Sequence, residues 1–208
     1  DYFGVFCAAL QQMAGAEFVA MMSNGCQGDI NNNDFSRPAR RPSHAYSEME
    51  RVGDVVAAEA WKQWNLLRED DFTSDITLGA VLRQIPFCPR KPTVEELASA
   101  RQLYASGEDW GDREWVYARE IVLLNESAPE WDIPVQAMRI GDLGIVGLHG
   151  EVFAEVGLDI KAQSPLAPTM VVGLANGSIG YVPTDQAIDE GSYEARLCRH
   201  ARAPKGTA

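Results

Sequence analysis

Positive charge is scarce in this sequence: 18 Lys and Arg stand against 30 Asp and Glu in 208 residues, a formal net charge of -12. A sequence-independent grip on nucleic acid needs clustered Lys and Arg to displace counterions from phosphates. The one basic cluster, Arg37, Arg40 and Arg41, is too short for that, so nucleic acid is excluded as a partner. No run of about 18 apolar residues occurs, which excludes a membrane-spanning helix. Cysteine is sparse and scattered: Cys7, Cys26, Cys88 and Cys198 form no C-x-x-C pair and no structural zinc spacing. Buried free thiols are expected, because a chain of this length is stable without staples. Also missing are a G-x-S-x-G elbow, a Walker loop, an H-E-x-x-H pair and a dinucleotide fingerprint, which leaves serine-triad and nucleotide chemistry without support.

What is present is a folded composition, 46% hydrophobic and 23% charged, of a length that suits one large domain over residues 1-208. The sequence opens at Asp1 rather than Met, shows no signal-peptide architecture, and ends on Ala203 to Ala208 without a closing element. The expectation is a processed or truncated chain.

Phe3, Phe6, Leu10 and Met13 predict a helix over 2-14, and Glu17 to Met22 reads as a buried strand. The segment from Ser23 to Asn33 is dense in Gly, Asn and Asp and must be a loop. A helix is predicted from about Ala45 to Arg68, with Met49, Val52, Val56 and Trp64 sharing one face. Asp75 to Phe87 reads as a strand with Ile76, Leu78, Ala80, Leu82 and Ile85 inward. Pro92-Thr93 opens a helix with Glu95 and Glu96 in its first turn, and a second helix follows over about 112-125. Together they predict a helical lobe over about 93-127.

Beyond Trp131, short apolar runs at Ile133 to Ile140, Leu143 to Leu148 and Met170 to Leu174 read as strands. A helical stripe of Val152, Phe153, Val156 and Ile160 separates the last two. Strand, helix, strand implies a crossover between parallel strands, hence an α/β fold with a mixed, partly parallel sheet and helices packed on its faces. The loops after both strands then meet at the carboxyl edge, where such sheets bind ligands.

Three glycine-containing loops follow apolar strands: Asn24 to Asn33, His149-Gly150-Glu151, and Asn176 to Tyr181. Glycine lets backbone N-H groups approach a ligand and form an anion nest; equally, Asn and Gly make turns, Asp29 caps, and Tyr181 fills a core position. Glu151 is either an ordinary helix-start residue or a carboxylate held rigidly for metal or proton chemistry. His149 lies two residues before it but reads first as a structural histidine, and His44 and His200 have weaker claims.

Taken together, Asp1-Tyr2-Phe3-Gly4, Asn24-Gly25-Cys26-Gln27-Gly28-Asp29-Ile30-Asn31, Gly150-Glu151-Val152-Phe153, Gly173 to Thr184, and Gly191-Ser192-Tyr193-Glu194 resemble blocks of the neutral/alkaline non-lysosomal ceramidases and their bacterial relatives. The match covers the latter part of that catalytic domain and is weak from about Ala45 to Glu130. The resemblance implies a Zn2+ held by two histidines, a glutamate and a tyrosine, with a metal-activated water hydrolysing an amide. It assigns Glu151 and Tyr181 as metal ligands and places both histidine ligands upstream of Asp1. Asp29 and Asn31 are the candidate catalytic residues, with substrate contacts expected at Asn24, Gly25, Gly28 and Asn176, and the substrate carbonyl would be stabilised by Asn31 or by backbone N-H groups of the Gly25 to Ile30 loop.

Asn31 stands where ceramidases proper carry a serine, in Gly-Asp-Val-Ser-Pro-Asn. An amide can donate to an oxyanion but cannot become a nucleophile. The function expected is a zinc-dependent amide hydrolase of N-acyl or lipid substrates, within sphingolipid or wider lipid metabolism, secreted or periplasmic, with residues 1-208 inactive alone. Two alternatives stay open: a hydrolase of another ester or phosphorylated substrate, and a non-catalytic ligand-binding relative lacking the serine. The oligomeric state is left undetermined by the sequence.

Overall fold

The computed structural model describes residues 2-31, 33-38, 42 and 44-208. Asp1, Asn32, Arg40 and Arg41, which enter the motifs and the basic cluster above, lie outside them. The chain forms two compact units, Asp1–Ser23 with Asn31–Ile76, and Asn24–Ile30 with Thr77–Ala208.

The first unit is a helix pair, α1 (Tyr2–Ala14) and α2 (Ser47–Leu66). Phe6 and Leu10 of α1 pack on Ala57 of α2, with Val56, Ala60 and Trp61 partly buried around them. The helices come close because α2 carries Gly53, where a Cβ would lie 2.6 Å from Val5 Cβ. The most buried positions of α2 are Gly53 and Ala57; of the expected face, Met49, Val52 and Val56 are partly buried, while Trp64 stays 46% exposed and meets Phe18 edge-on at 5.3 Å.

The strand expected over Glu17 to Met22 does not form. Its period-two alternation is real: Phe18, Ala20 and Met22 pack inward, while Val19 and Met21 are 76% and 83% exposed. The inward residues meet the helix pair rather than a sheet. Side chains of α1 take the backbone acceptors, Cys7 Sγ donating to Ala20 O at 3.3 Å and Gln11 Nε2 to Phe18 O at 3.3 Å, so no ladder is built.

The second unit is built on a four-stranded sheet of β1 (Leu78–Phe87), β2 (Trp131–Ile140), β3 (Leu143–Gly147) and β5 (Thr169–Val172), in the order β1-β2-β3-β5. β1 pairs antiparallel with β2, β2 antiparallel with β3, and β3 parallel with β5. This is the mixed, partly parallel α/β arrangement that the strand-helix-strand pattern predicts. The connection from β3 to β5 passes through β4 (Glu151–Val152) and α5 (Ala154–Gln163). β4 pairs in parallel with β6 (Tyr181–Val182) as a separate two-stranded sheet.

α3 (Val94–Tyr104) and α4 (Arg113–Glu126) form a helix pair packed through Ala100, Ala118 and Val122. Thr93 opens α3 with a capping box: its hydroxyl accepts from Glu96 N while the Glu96 carboxylate accepts from Thr93 N. Asp112 caps α4 by accepting from Glu114 N.

Two expectations give way here. The apolar side of β1 is not buried: Leu78, Leu82 and Ile85 are 70%, 56% and 43% exposed, and only Phe87 reaches the core. β1 is an edge strand, zipped to β2 along its length, and alternation cannot say whether anything covers the face it presents. The end of the chain is tied down rather than trailing. Ala201 and Ala203 are fully buried, Arg90 N donates to Arg202 O, and Gly206 N donates to Asp185 Oδ1 of α6 (Asp185–Glu190).

The core of this unit joins Phe87, Ile133, Val152, Ile179, Val182 and Ala203. The larger of these contribute roughly 1.5-3 kcal/mol each relative to exposure, and they anchor the strands and loops of the candidate site. All four cysteines are free; Cys7, Cys26 and Cys198 are half-buried and Cys88, against expectation, is exposed. No helix among the described residues is long and apolar enough to cross a membrane.

Candidate metal and hydrolytic site

Three loops are drawn together at the carboxyl ends of β3 and β5. The loop after β3 zips onto the loop after β5: Leu174 N donates to Gly150 O, Ala175 N to Leu148 O, Ile179 N to His149 O, and Glu151 N to Gly180 O, all between 2.8 and 3.1 Å. These bonds leave Glu151 and Tyr181 as register partners of β4 and β6. Register partners on adjacent strands point to the same face, so the carboxylate and the phenol share one side of this small sheet. Glu151 precedes α5 by a strand residue and a cap residue, and is therefore not the helix-start residue its sequence context suggested.

Residues 24-30 form the third loop. Gly173 N donates to Asn24 O at 3.2 Å and Gly28 N to Val152 O at 2.9 Å. A Cβ on Gly28 would run into the backbone carbonyl of Glu151, and one on Gly173 into Gly25 O. Glycine is needed at both positions because backbone meets backbone there. Asp29 Oδ1 accepts from Ala154 N at 2.7 Å, capping α5 from a distant segment where its own N-cap, Phe153, supplies no side-chain bond. Cys26 sits under Gly157, and burial pushes its thiol above the usual range, which leaves it protonated at neutral pH.

The structure thus brings Asn24, Gly25, Gly28 and Asp29 onto the strands that carry Glu151 and Tyr181. Asn176 adopts a positive φ of 62° and donates from Nδ2 to Gln136 Oε1 at 3.2 Å. Asn31 belongs to the first unit, where its Oδ1 accepts from Asn33 N at 2.9 Å. His149 is packed against Gly177, and its Nδ1 is buried without a hydrogen-bond partner among the described residues.

Tyr193, not among the expected site residues, stands beside Tyr181. The two hydroxyls are 3.4 Å apart and the rings meet edge-on at 5.9 Å. The Tyr181 phenol is pushed well above its ordinary range, first by the hydrogen bond with Tyr193, then by burial and by the negative charge of Glu151. The only advance signal for Tyr193 was its place in the Gly191-Ser192-Tyr193 block.

Among the described residues no group of three or more His, Cys, Asp or Glu could hold a metal ion. The donor chemistry of Glu151 and Tyr181 nevertheless fits zinc, which accepts carboxylate oxygen. After the Tyr193 hydrogen bond and burial, the Glu151 carboxylate adds to the cost of ionising the phenol, and a cation held by the pair would lower that part of the cost.

No protein-family model matches the chain, and no curated protein matches it. Among solved structures, the neutral ceramidase from Pseudomonas aeruginosa superposes with a TM-score of 0.60 at 18% identity, over 93% of this chain and 36% of that one. A ceramidase complexed with C2 gives a TM-score of 0.60 at 14% identity, over 98% of this chain and 39% of that one. The chain therefore has the fold of part of a ceramidase and spans little more than a third of the length of these structures.

Proposed function

We propose that the complete protein is a zinc-dependent hydrolase of amide bonds, ceramidase-like, acting on an N-acyl or lipid substrate, and that residues 1-208 form the latter part of its catalytic domain. The observation that carries this reading is the pairing of Glu151 with Tyr181 on one face of β4 and β6. The ceramidase fold supports it. Glu151 and Tyr181 would hold the ion from this chain, with two histidines of an upstream segment completing the set, as the resemblance implies. When bound, zinc polarises a substrate carbonyl and lowers the pKa of water.

The chain's own residues position and stabilise. The backbone bonds among the three loops fix the main-chain positions from which Glu151 and Tyr181 project, which would reduce the reorganisation needed in catalysis. Tyr193 orients the Tyr181 hydroxyl. Asn31 keeps its Oδ1 occupied by Asn33 N, which leaves the amide Nδ2 as donor toward a developing oxyanion.

The test is hydrolysis of a panel of N-acyl and ester substrates by the full-length protein, with metal content measured in parallel. Amide turnover that is lost on chelation and restored by zinc is expected. A metal-free protein that retains the panel compounds unchanged would overturn the reading in favour of a binding protein.

A further inference from the structure

Next to the Glu151-Tyr181 pair but lined by neither residue, the second unit holds a hollow of about 310 Å³ bounded by Ser178, Gly180, Arg199, His200 and Arg202. Its charge is one-sided. Glu120 of α4 serves two guanidiniums: Arg199 donates to it from Nε at 2.7 Å and Nη2 at 2.9 Å, and Arg119 from Nη1 at 2.7 Å. Arg202 pairs with no carboxylate among the described residues; it donates from Nε to Ile179 O at 3.3 Å and lies over the Trp131 ring at 4.7 Å. Burial and the neighbouring Arg199 charge both weigh against the charged form of Arg202. A chain of net charge -12 thus concentrates unbalanced positive charge in one concave place, where an anion would relieve the repulsion.

The lining is also rich in donors. Arg202 keeps both terminal nitrogens, and Arg199 keeps Nη1, unclaimed by any acceptor among the described residues. Ser178 Oγ accepts from Gly180 N at 2.9 Å, which leaves its own proton to donate. Guanidinium forks match the oxygens of phosphate, and the volume lies at the lower end of small-molecule sites. We infer that this hollow binds a phosphate group, carried either by a soluble ester or by a lipid headgroup. The inference is independent of the zinc reading, since none of these residues holds the ion.

Calorimetric titration of the chain with inorganic phosphate at constant ionic strength tests it, and wild type is measured first because that step needs no variant. Saturable binding that chloride does not compete away is expected. Arg202→Gln should weaken it about tenfold or more, as loss of charge-assisted hydrogen bonds does, with Arg202→Lys falling between the two. Ser178→Ala, which leaves the Trp131 stack intact, should weaken it severalfold and keeps the test decisive if Arg202→Gln fails to fold. Glycerol 3-phosphate and phosphatidic acid vesicles then separate the sources: binding of the ester alone assigns a soluble ligand, and binding of the vesicles as well assigns a headgroup. Absence of saturable phosphate binding by wild type, or equal affinity in wild type, Arg202→Gln and Ser178→Ala, would overturn the inference.

Discussion

Glu151 and Tyr181, thirty residues apart in the chain, are register partners of a two-stranded parallel sheet, held by Glu151 N donating to Gly180 O at 2.8 Å and Tyr181 N donating to His200 O at 2.7 Å. The backbone fixes where both side chains start and the face to which they point, and that makes consequences of substitution in and around the pair specific.

Gly28 is among the tightest of these supports. A Cβ there would meet the Glu151 carbonyl, which as backbone cannot move aside. Gly28→Ala should therefore destabilise the protein by about 1-3 kcal/mol, seen as a lower urea midpoint, while Gly4→Ala, where a Cβ meets nothing within 4 Å, should not.

Asp29 separates a structural role from a chemical one. Its carboxylate caps α5 at Ala154 N, so Asp29→Ala should cost about 1 kcal/mol in denaturant unfolding, while Asp29→Asn, which keeps an acceptor oxygen, should cost much less. If Asp29 also takes part in the reaction, Asp29→Asn should lower kcat in the complete protein without a matching loss of stability.

Much of this arrangement can be read from the residues. The caps at Thr93 and Asp112 are local chemistry, and the parallel pairing of β3 with β5 follows from an apolar run, a helical stripe and a second apolar run. The misses share a cause: alternation and stripes report which residues turn inward, not what they meet. Phe18, Ala20 and Met22 meet helices instead of a sheet, and Leu78 and Leu82 of the edge strand meet solvent. The β4-β6 pair was invisible because two-residue strands carry no period; only the Gly150-Glu151 and Gly180-Tyr181 steps marked it.

The contact between α4 and the C-terminal segment should be sensitive to acid. Arg199 holds the Glu120 carboxyl below the ordinary range, against the opposing effect of burial. A group with a depressed folded pKa contributes stability that is present above its unfolded pKa, about 4.3, and is lost as pH falls through the lower folded value. The stability difference between wild type and Glu120→Gln should accordingly favour wild type at neutral pH and shrink below about pH 4, as read by urea unfolding at several pH values.

Asn31 distinguishes an amide that steadies an oxyanion from a mere remnant of a lost serine. In the complete protein Asn31→Ala should lower kcat by about 10²-10³ with zinc content unchanged. Asn31→Ser should not produce efficient ceramide cleavage, because a hydroxyl needs its surroundings arranged for activation.

The central claim is that Glu151 and Tyr181 hold a zinc ion, and zinc stoichiometry in the complete protein tests it most directly, by elemental analysis after mild chelation of wild type, Glu151→Ala and Tyr181→Phe. About one zinc per wild-type chain is expected, with loss of the ion and of amide turnover in Glu151→Ala, weakened retention in Tyr181→Phe, and no stoichiometric zinc on residues 1-208 alone, where two oxygen donors leave a four-coordinate ion half supplied. Full zinc retention in Glu151→Ala, or tight one-to-one zinc on residues 1-208, would contradict the assignment.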